Sequence, residues 1–304
     1  MPSRIQNFKI TRRSLMINAA VMAAGMVAAI KGNTSPNKTA SASAKGETSA
    51  RILITGSSDG LGMLAGKMLA TGGHRVILHA RNARRAEATR KALPACEAVV
   101  IGDVSSLAGM RTVAEQANAL GRCDAVIHNV GIGDREPRRI ETVDGLSHLF
   151  AINVVAPYLL TALITRPERL IYLGSSMHMG GNASLEDPQW AKRSWNGSQA
   201  YSDSKLFDLI LAMGVARRWP DVRANAVEPG WVPTRMGGAH APDDLSEGAV
   251  TQAWLASSND SAALVTGQNF YHKKPQRMLP VARDKDVQDR LFDYLRGITG
   301  ASIT

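Results

Sequence analysis

The sequence Thr55-Gly56-Ser57-Ser58-Asp59-Gly60-Leu61-Gly62 joins a short aliphatic run, residues 52–55, to a helical pattern that begins at Gly60. Glycine lets the backbone turn tightly and approach a pyrophosphate, whose charge lies at the N-terminus of the following helix. The spacing Gly-x-x-x-Gly-x-Gly departs from the commoner Gly-x-Gly-x-x-Gly loop, but its position between a strand and a helix adds weight to the pattern. This stretch therefore predicts a βα unit with a dinucleotide bound at its turn.

The chain after residue 50 repeats the same alternation of short β-branched runs and helical periods. Strand patterns cover residues 52–55, 76–79, 98–101, 125–129, 170–173, 223–227 and 268–271. Helical patterns cover residues 60–70, 83–93, 107–120, 145–164, 199–218, 247–256 and 285–296. Such βαβ units build parallel sheets. The sequence therefore predicts an α/β fold: a Rossmann-type doubly wound parallel sheet of about seven strands, with helices on both faces of a single domain.

The net charge of +10 is concentrated at the start of the chain. Six of the positive charges precede residue 45, where Asp and Glu do not occur, and +4 remains without them. A second basic patch, residues 81–91, has no interleaved aromatic residues on which bases could stack. We therefore expect no nucleic-acid partner.

Arg12 and Arg13 precede a mildly apolar run, residues 17–30, and this arrangement resembles a twin-arginine export signal. The run is too short to span a bilayer comfortably, and residues 42–44, Ala-Ser-Ala, offer a cleavage site. Residues 1–44 are thus predicted to be a signal and linker, with export to the periplasm or another extracytoplasmic space and no stable membrane span after signal removal. A mis-assigned start codon before a cytoplasmic enzyme, or an uncleaved tether, stays open as the alternative.

Tyr201 and Lys205 lie four residues apart in the helical pattern of residues 199–218. On a helix, residues at this spacing are surface neighbours. A cation about 4 Å from a phenol, at an effective dielectric near 20, is worth roughly 4 kcal/mol, or about three pKa units. The pair therefore predicts an acid/base catalyst, although an ordinary helix surface gives the same pattern.

The end of the second strand pattern favours one dinucleotide over the other. An acidic residue there would accept hydrogen bonds from the adenosine ribose, but the chain has Arg81, which can pair with a 2′-phosphate. NADP(H) is favoured and NAD(H) stays open, because Asp59 opposes a second phosphate. Asp103 and Val104 follow the third strand, where the carboxylate can accept from the adenine amino group. Residues 129–131, Asn-Val-Gly, end the fourth strand pattern.

These motifs, in this order along residues 51–275, resemble the short-chain dehydrogenase/reductase family, and most closely its retinol-dehydrogenase and protochlorophyllide-reductase type. The matching positions are Thr55 to Gly62, Asp103, Asn129 to Gly131, Asn153, Ser176, Tyr201 to Lys205, and Pro229-Gly230. The resemblance implies one NAD(P)-binding short-chain dehydrogenase domain over residues 45–304. It implies interconversion of a carbonyl and an alcohol by hydride transfer to or from the cofactor, with no metal.

Catalytic roles follow from the resemblance position by position. Tyr201 would be the general acid/base, and Lys205 would lower the tyrosine pKa and bind the nicotinamide ribose. Ser176 would orient the substrate oxygen, while Ser175 supports the strand end. Asn153 would hold a water that links Lys205 to solvent, although a mid-helix Asn is often only a polar helix residue.

Cofactor roles follow in the same way. The pyrophosphate would be contacted by the glycine loop and the nicotinamide by the residues after the sixth strand. The full set of expected cofactor-binding residues is Gly56, Ser58, Gly60, Leu61, Gly62, Arg81, Asp103, Val104, Asn129, Gly131, Tyr201, Lys205, Val232 and Thr234. One departure from the family pattern is His128, which stands where an amide usually braces the sheet; we interpret it as structural rather than catalytic.

The substrate is expected to be a small carbonyl or alcohol compound. Residues 177–199 and 235–246 should form its wall, and their Met and Trp residues favour a hydrophobic compound. A non-catalytic NAD(P)-binding sensor or scaffold is the alternative, since export would leave the protein short of NADP(H). A sugar-nucleotide epimerase is disfavoured by the glycine spacing and the short C-terminal region. A homo-oligomer stays open.

Overall fold

A single eight-stranded sheet runs through residues 49–304, the part of the chain that the computed structural model describes. Its strands are β1 Arg51–Ile54, β2 Arg75–Ala80, β3 Ala98–Ile101, β4 Ala125–His128, β5 Arg169–Leu173, β6 Arg223–Val227, β7 Asn269–Tyr271 and β8 Lys274–Pro275. They lie in the order β3-β2-β1-β4-β5-β6-β7-β8, and the first seven are parallel. The chain reverses its direction of winding between β1 and β4, which confirms the predicted doubly wound fold.

Helices cover both faces of this sheet. They are α1 Gly60–Thr71, α2 Ala83–Ala92, α3 Leu107–Ala119, α4 His148–Phe150, α5 Ala156–Leu163, α6 Gly197–Arg218, α7 Leu245–Ser257 and α8 Lys285–Thr299. Successive side chains of a strand point to opposite faces. Leu53 of β1 accordingly packs in one core cluster, with α3, α5, α6 and α8, whereas Ile52 and Ile54 pack in the other, with α1 and α7. The two-sided burial explains why the strands read as continuous apolar runs.

The sheet has one short strand, β8, beyond the seven strand patterns of the sequence. β8 pairs antiparallel with β7 through a two-residue turn, His272-Lys273, in which both residues have positive φ, 48° and 61°. Hairpins of this kind usually carry Asn or Gly at such positions. The sequence therefore gave no turn signal there.

The predicted signal and linker, residues 1–44, lie outside the described residues, and export stays a prediction. Between residues 49 and 304 no helix is long and apolar enough to cross a membrane.

Candidate active site

The glycine loop is braced by a histidine at the end of β2. Gly56 adopts φ +62°, and a Cβ on it would lie 2.7 Å from the Cα of Val130, so the position requires glycine. The backbone N–H of Gly56 donates to His79 Nδ1 at 2.9 Å, and His79 Nε2 lies 2.8 Å from the carbonyl oxygen of Gly102. Burial lowers the pKa of His79. A neutral imidazole that accepts at Nδ1 and donates at Nε2 therefore fixes the loop, a role that sequence reasoning missed.

The other side of the loop is held by the end of β4. Asn129 Nδ2 donates to the carbonyl oxygens of Thr55 and Gly56 at 2.9 and 3.1 Å. A Cβ on Gly62 would lie 2.5 Å from that same Nδ2 and 2.8 Å from the carbonyl oxygen of Gly56. Gly62 thus allows α1 to pack against the loop and β4.

A cleft of about 930 Å³ opens beside this loop, at the switch point between β1 and β4. Ligands of doubly wound sheets bind at such a point. Among the described residues, ten of the fourteen expected cofactor contacts line the cleft: Gly56, Ser58, Gly60, Leu61, Arg81, Asp103, Val104, Asn129, Gly131 and Thr234. The other four, Gly62, Val232, Tyr201 and Lys205, are not part of this lining.

The cleft has further lining residues. Asp59 lies in the glycine loop, and Arg235 and Met236 lie in the predicted substrate wall. The others were not among the expected cofactor contacts: His79, Arg85, residues 132, 133 and 135–137, His148, Ile152 and Pro233. Arg85 forms an ion pair with Asp59 at 2.8 Å. Asn82 caps α2 by accepting from the backbone N–H of Arg85, which places that arginine in the first helical turn beside Arg81. Arg235 Nη2 lies 3.8 Å from the same carboxylate, so the guanidinium groups of Arg85 and Arg235 share Asp59, and Arg81 lines the same cleft.

The N-terminus of α1 is open to the cleft. Asp59, its N-cap residue, directs its carboxylate to Arg85 instead of to the N–H groups of the first turn. Gly60 and Leu61 in that turn line the cleft. Unpaired N–H groups at a helix N-terminus bind phosphate, so the loop fits the pyrophosphate of a dinucleotide.

Lys205 is buried in α6 and already holds two partners inside the protein. Its Nζ donates to the carbonyl oxygen of Leu173 at 2.7 Å and to Asp208 Oδ2 at 2.8 Å, and it lies 5.8 Å from the centre of the Tyr201 ring. Burial alone would lower the pKa of Lys205, but the charges of Asp208 and Tyr201 outweigh it and leave that pKa raised. An ammonium group has three donors, so one is left for a ribose.

Asp208 is a functional candidate that sequence reasoning missed. It is 4% exposed, and burial raises its pKa to about 6 against the opposing effect of Lys205. Its position three residues after Lys205 places both side chains on one face of α6, so the spacing was a usable signal.

Asn153 lies in a π-helical turn, Ala151–Val155, between α4 and α5. The helical pattern predicted over residues 145–164 is helical from His148 to Leu163, with this π-helical turn inside it. Such turns are frequent at functional sites. Asn153 Oδ1 accepts from the N–H of Ile132 at 2.9 Å, and Nδ2 donates to the Ile132 carbonyl and to Ser204 Oγ, both at 3.0 Å. Asn153 therefore ties the cleft wall to α6.

The side chains of Asn153 and Lys205 converge on Gly131. A Cβ on Gly131 would lie 3.5 Å from Asn153 Oδ1 and 3.8 Å from Lys205 Nζ. Because Gly131 lines the cleft, its missing side chain leaves both polar groups close to the cleft surface.

Ser175 and Ser176 follow β5 and take different roles. Ser175 Oγ accepts from the backbone N–H of Met177 at 3.2 Å and so caps the short 3₁₀ turn Ser176–Gly180. Ser176, the first residue of that turn, is exposed. The structure thus places Ser175 as a local support and leaves the hydroxyl of Ser176 on the surface.

The long segment before Tyr201 is fastened to α6. The buried carboxylate of Asp203 accepts from the backbone N–H of Asn182 at 2.8 Å and from Arg193 at 2.9 Å. The guanidinium of Arg193 also lies 3.6 Å from the centre of the Trp190 ring. Asp203, two residues after Tyr201 on α6, thus anchors the predicted substrate wall of residues 177–199.

Residues 50–244 match the sequence profile of the family described as short chain dehydrogenase, which is more than half of the chain. The chain belongs to the short-chain dehydrogenase family. Members of this family are oxidoreductases, and this chain is therefore an oxidoreductase, as the sequence predicted. The resemblance inferred from the sequence is confirmed.

Two curated relatives show how widely the short-chain dehydrogenase similarity extends. An uncharacterised oxidoreductase of Emericella nidulans is 41% identical over 257 residues, covering 83% of this chain and 98% of the relative. Human retinol dehydrogenase 14 is 30% identical and covers 82% of this chain and 86% of its own. The second relative confirms the retinol-dehydrogenase type of sequence.

Solved structures agree with this fold. A protein of Mycobacterium paratuberculosis has a TM-score of 0.73 and 26% identity, covering 84% of this chain and 95% of its own. A blue fluorescent protein from a metagenomic library, in complex with NADPH, has a TM-score of 0.60 and 25% identity, covering 74% of this chain and 97% of its own.

Proposed function

We propose that this short-chain dehydrogenase is an NADP(H)-dependent enzyme that interconverts a carbonyl and an alcohol, with Tyr201 as the acid/base. The observation that carries the proposal is the convergence of Lys205 and Asn153 on Gly131 in the cleft wall, with the Tyr201 ring 5.8 Å from Lys205 Nζ. A charged ammonium beside a phenol favours loss of the phenolic proton. A binding protein has no need of that pair.

The nicotinamide supplies or accepts the hydride when it is bound. The residues of the chain then handle the proton. Tyr201 gives its proton to the substrate oxygen during reduction and takes one from the alcohol during oxidation, while Ser176 orients that oxygen. Lys205 stabilises the phenolate, and Asn153 keeps the cleft wall and α6 in register through Ile132 and Ser204.

The preference for NADP(H) rests on the charge at the end of the cleft. Arg81 and Arg85 line it, and the ion pair with Asp59 neutralises part of the charge of Arg85. Arg81 is the cation best placed to pair with a 2′-phosphate. The related blue fluorescent protein in complex with NADPH supports the same cofactor.

The substrate is proposed to be a hydrophobic carbonyl or alcohol compound. Met179, Trp231 and Met236 are 55%, 59% and 43% exposed, and Met236 lines the cleft. Exposed apolar side chains next to a cleft are typical of a binding surface for an apolar ligand.

The test is to purify the full chain and follow the oxidation of NADPH and of NADH with a panel of apolar ketones and aldehydes. We expect turnover, with NADPH the better cofactor. Failure of both nucleotides to bind would refute the enzyme proposal. Binding of a nucleotide without turnover of any carbonyl compound would favour the sensor alternative.

Replacing Arg81 with alanine should weaken NADPH binding about tenfold, because one charge-assisted hydrogen bond to an exposed phosphate is worth about 1.5 kcal/mol. NADH, which lacks the 2′-phosphate, should bind as before. The dissociation constants of both nucleotides, measured by nucleotide fluorescence, check this prediction. Arg84→Ala is the matched control, since Arg84 is an exposed arginine of α2 outside the cleft lining. Equal losses for both nucleotides in Arg81→Ala would contradict the assignment.

A further inference from the structure

The buried ammonium of Lys205 is neutralised before any ligand arrives. Asp208 Oδ2 lies 2.8 Å from its Nζ, and the side chains of both residues are 6% exposed. Attraction between unit charges in a poorly solvated site is much stronger than in water. The field that Lys205 exerts on Tyr201 is therefore opposed by a carboxylate held on the same helix.

The surroundings of Asp208 contain few other charges. On β5, Tyr172 is the titratable neighbour: burial raises its pKa and the Asp208 charge raises it further, while Thr161 lowers it by hydrogen bonding. On β4, His128 stacks on Tyr172 with ring centres 4.8 Å apart, and burial lowers the pKa of His128, which keeps it neutral. On α6 itself, Lys205 is the charged partner. Tyr172 and His128 are thus uncharged at neutral pH, and the Asp208 charge acts mainly on Lys205 and, through it, on Tyr201.

From this geometry we infer that Asp208 is a positioning residue that opposes the charge of Lys205 and so weakens the effect of that charge on the phenolic proton of Tyr201, the proton that carbonyl reduction consumes. The inference rests on the proposed function of Tyr201. In the reductive direction, hydride reaches the carbonyl carbon as the carbonyl oxygen takes the phenolic proton, and the phenolate is then reprotonated from water.

The carbonyl oxygen of Leu173 supports the same inference. It is the second acceptor of Lys205, at 2.7 Å, so Nζ is drawn towards the end of β5 and Asp208. Two acceptors that lie on the protein side hold the ammonium in a fixed place. Asp208 thereby determines both the position of the charge and its effective strength.

The test compares phenolate formation at Tyr201 in the wild type and in Asp208→Asn. Absorbance is titrated with pH, and from each titration that of the same protein with Tyr201→Phe added is subtracted, so that the difference reports Tyr201 and not Tyr172. Removing the carboxylate should lower the midpoint of phenolate formation by at least about one pH unit, a tenfold change in the ionisation constant. The limiting ionisation of kcat/KM for alcohol oxidation should move in the same direction. Asp208→Glu, which restores the charge, should return the midpoint most of the way.

Asp203→Asn is the matched control. Asp203 is a buried carboxylate of the same helix, but it pairs with Arg193 at 2.9 Å instead of with Lys205. The midpoint of phenolate formation at Tyr201 in Asp203→Asn should equal that in the wild type. Equal midpoints in wild type and Asp208→Asn, or an equal shift in Asp203→Asn, would overturn the inference.

Two further features keep the test decisive. If Asp208→Asn does not fold, Asp208→Ser, which also removes the charge, is titrated in its place, and the same lowering of the midpoint relative to the wild type is expected. The absorbance titration needs no substrate or cofactor. A failure of the proposed function would leave the absorbance shift in place, whereas turnover without the shift would refute only the role of Asp208.

Discussion

Replacing Tyr201 with phenylalanine is expected to lower kcat/KM for carbonyl reduction by about a thousandfold, within the range that a positioned acid/base contributes. The substitution removes only the hydroxyl group. The ring packs against the buried cluster of Leu149, Trp190 and Ala200, and phenylalanine keeps that packing. NADPH binding should therefore weaken by at most about tenfold, the worth of one hydrogen bond, while turnover collapses. Steady-state kinetics and nucleotide fluorescence on the same preparation measure the two quantities.

A second Tyr→Phe substitution provides the control for this prediction. Tyr271 lies on β7 and stacks on His272, away from the cleft lining. Tyr271→Phe should keep kcat/KM within about twofold of the wild type, as expected for a substitution away from the site. Activity retained in Tyr201→Phe would remove Tyr201 from the chemistry and would favour a non-catalytic, nucleotide-binding protein.

The sheet could be predicted because each of its parts is encoded locally. A parallel strand covered on both faces reads as a short apolar run, and the three glycines of residues 55–62 mark the turn between β1 and α1. β8 could not be predicted, because the positive φ angles of His272 and Lys273 depend on pairing with β7 and not on residue type.

Site residues could be predicted where a single sequence motif contains them. They were missed where their contacts join different strands and helices. Tyr201 and Lys205 share a helix face, so their spacing alone was informative. His79 braces Gly56 across 23 positions of sequence, and Arg85 reaches Asp59 across 26. Those contacts exist only after β1, β2 and α2 have packed together. Asp208 is a different case, because its spacing from Lys205 was visible and was not used.

His128 should make folding strongly sensitive to acid. It ends β4, is 3% exposed, and stacks on Tyr172, with Nε2 3.0 Å from Thr161 Oγ1. Burial lowers its pKa to about 3. In the unfolded chain the same imidazole takes up a proton near its ordinary pKa of about 6.5. Its neutral form therefore contributes stability that is complete above about pH 6.5 and is lost as the pH falls towards 3.

The expected loss between pH 7.5 and pH 5 is about 2 kcal/mol of unfolding free energy, from this one group. Urea unfolding of the wild type and of His128→Asn across that range measures it, and the quantity compared is the slope with pH rather than the stability at one pH. The slope should become shallower in His128→Asn without vanishing, because burial also lowers the pKa of His79. His240 is exposed, so His240→Asn should keep the wild-type slope. An unchanged slope in His128→Asn would mean that the folded protein protonates His128 as readily as the unfolded chain, and the buried neutral imidazole at the end of β4 would be excluded.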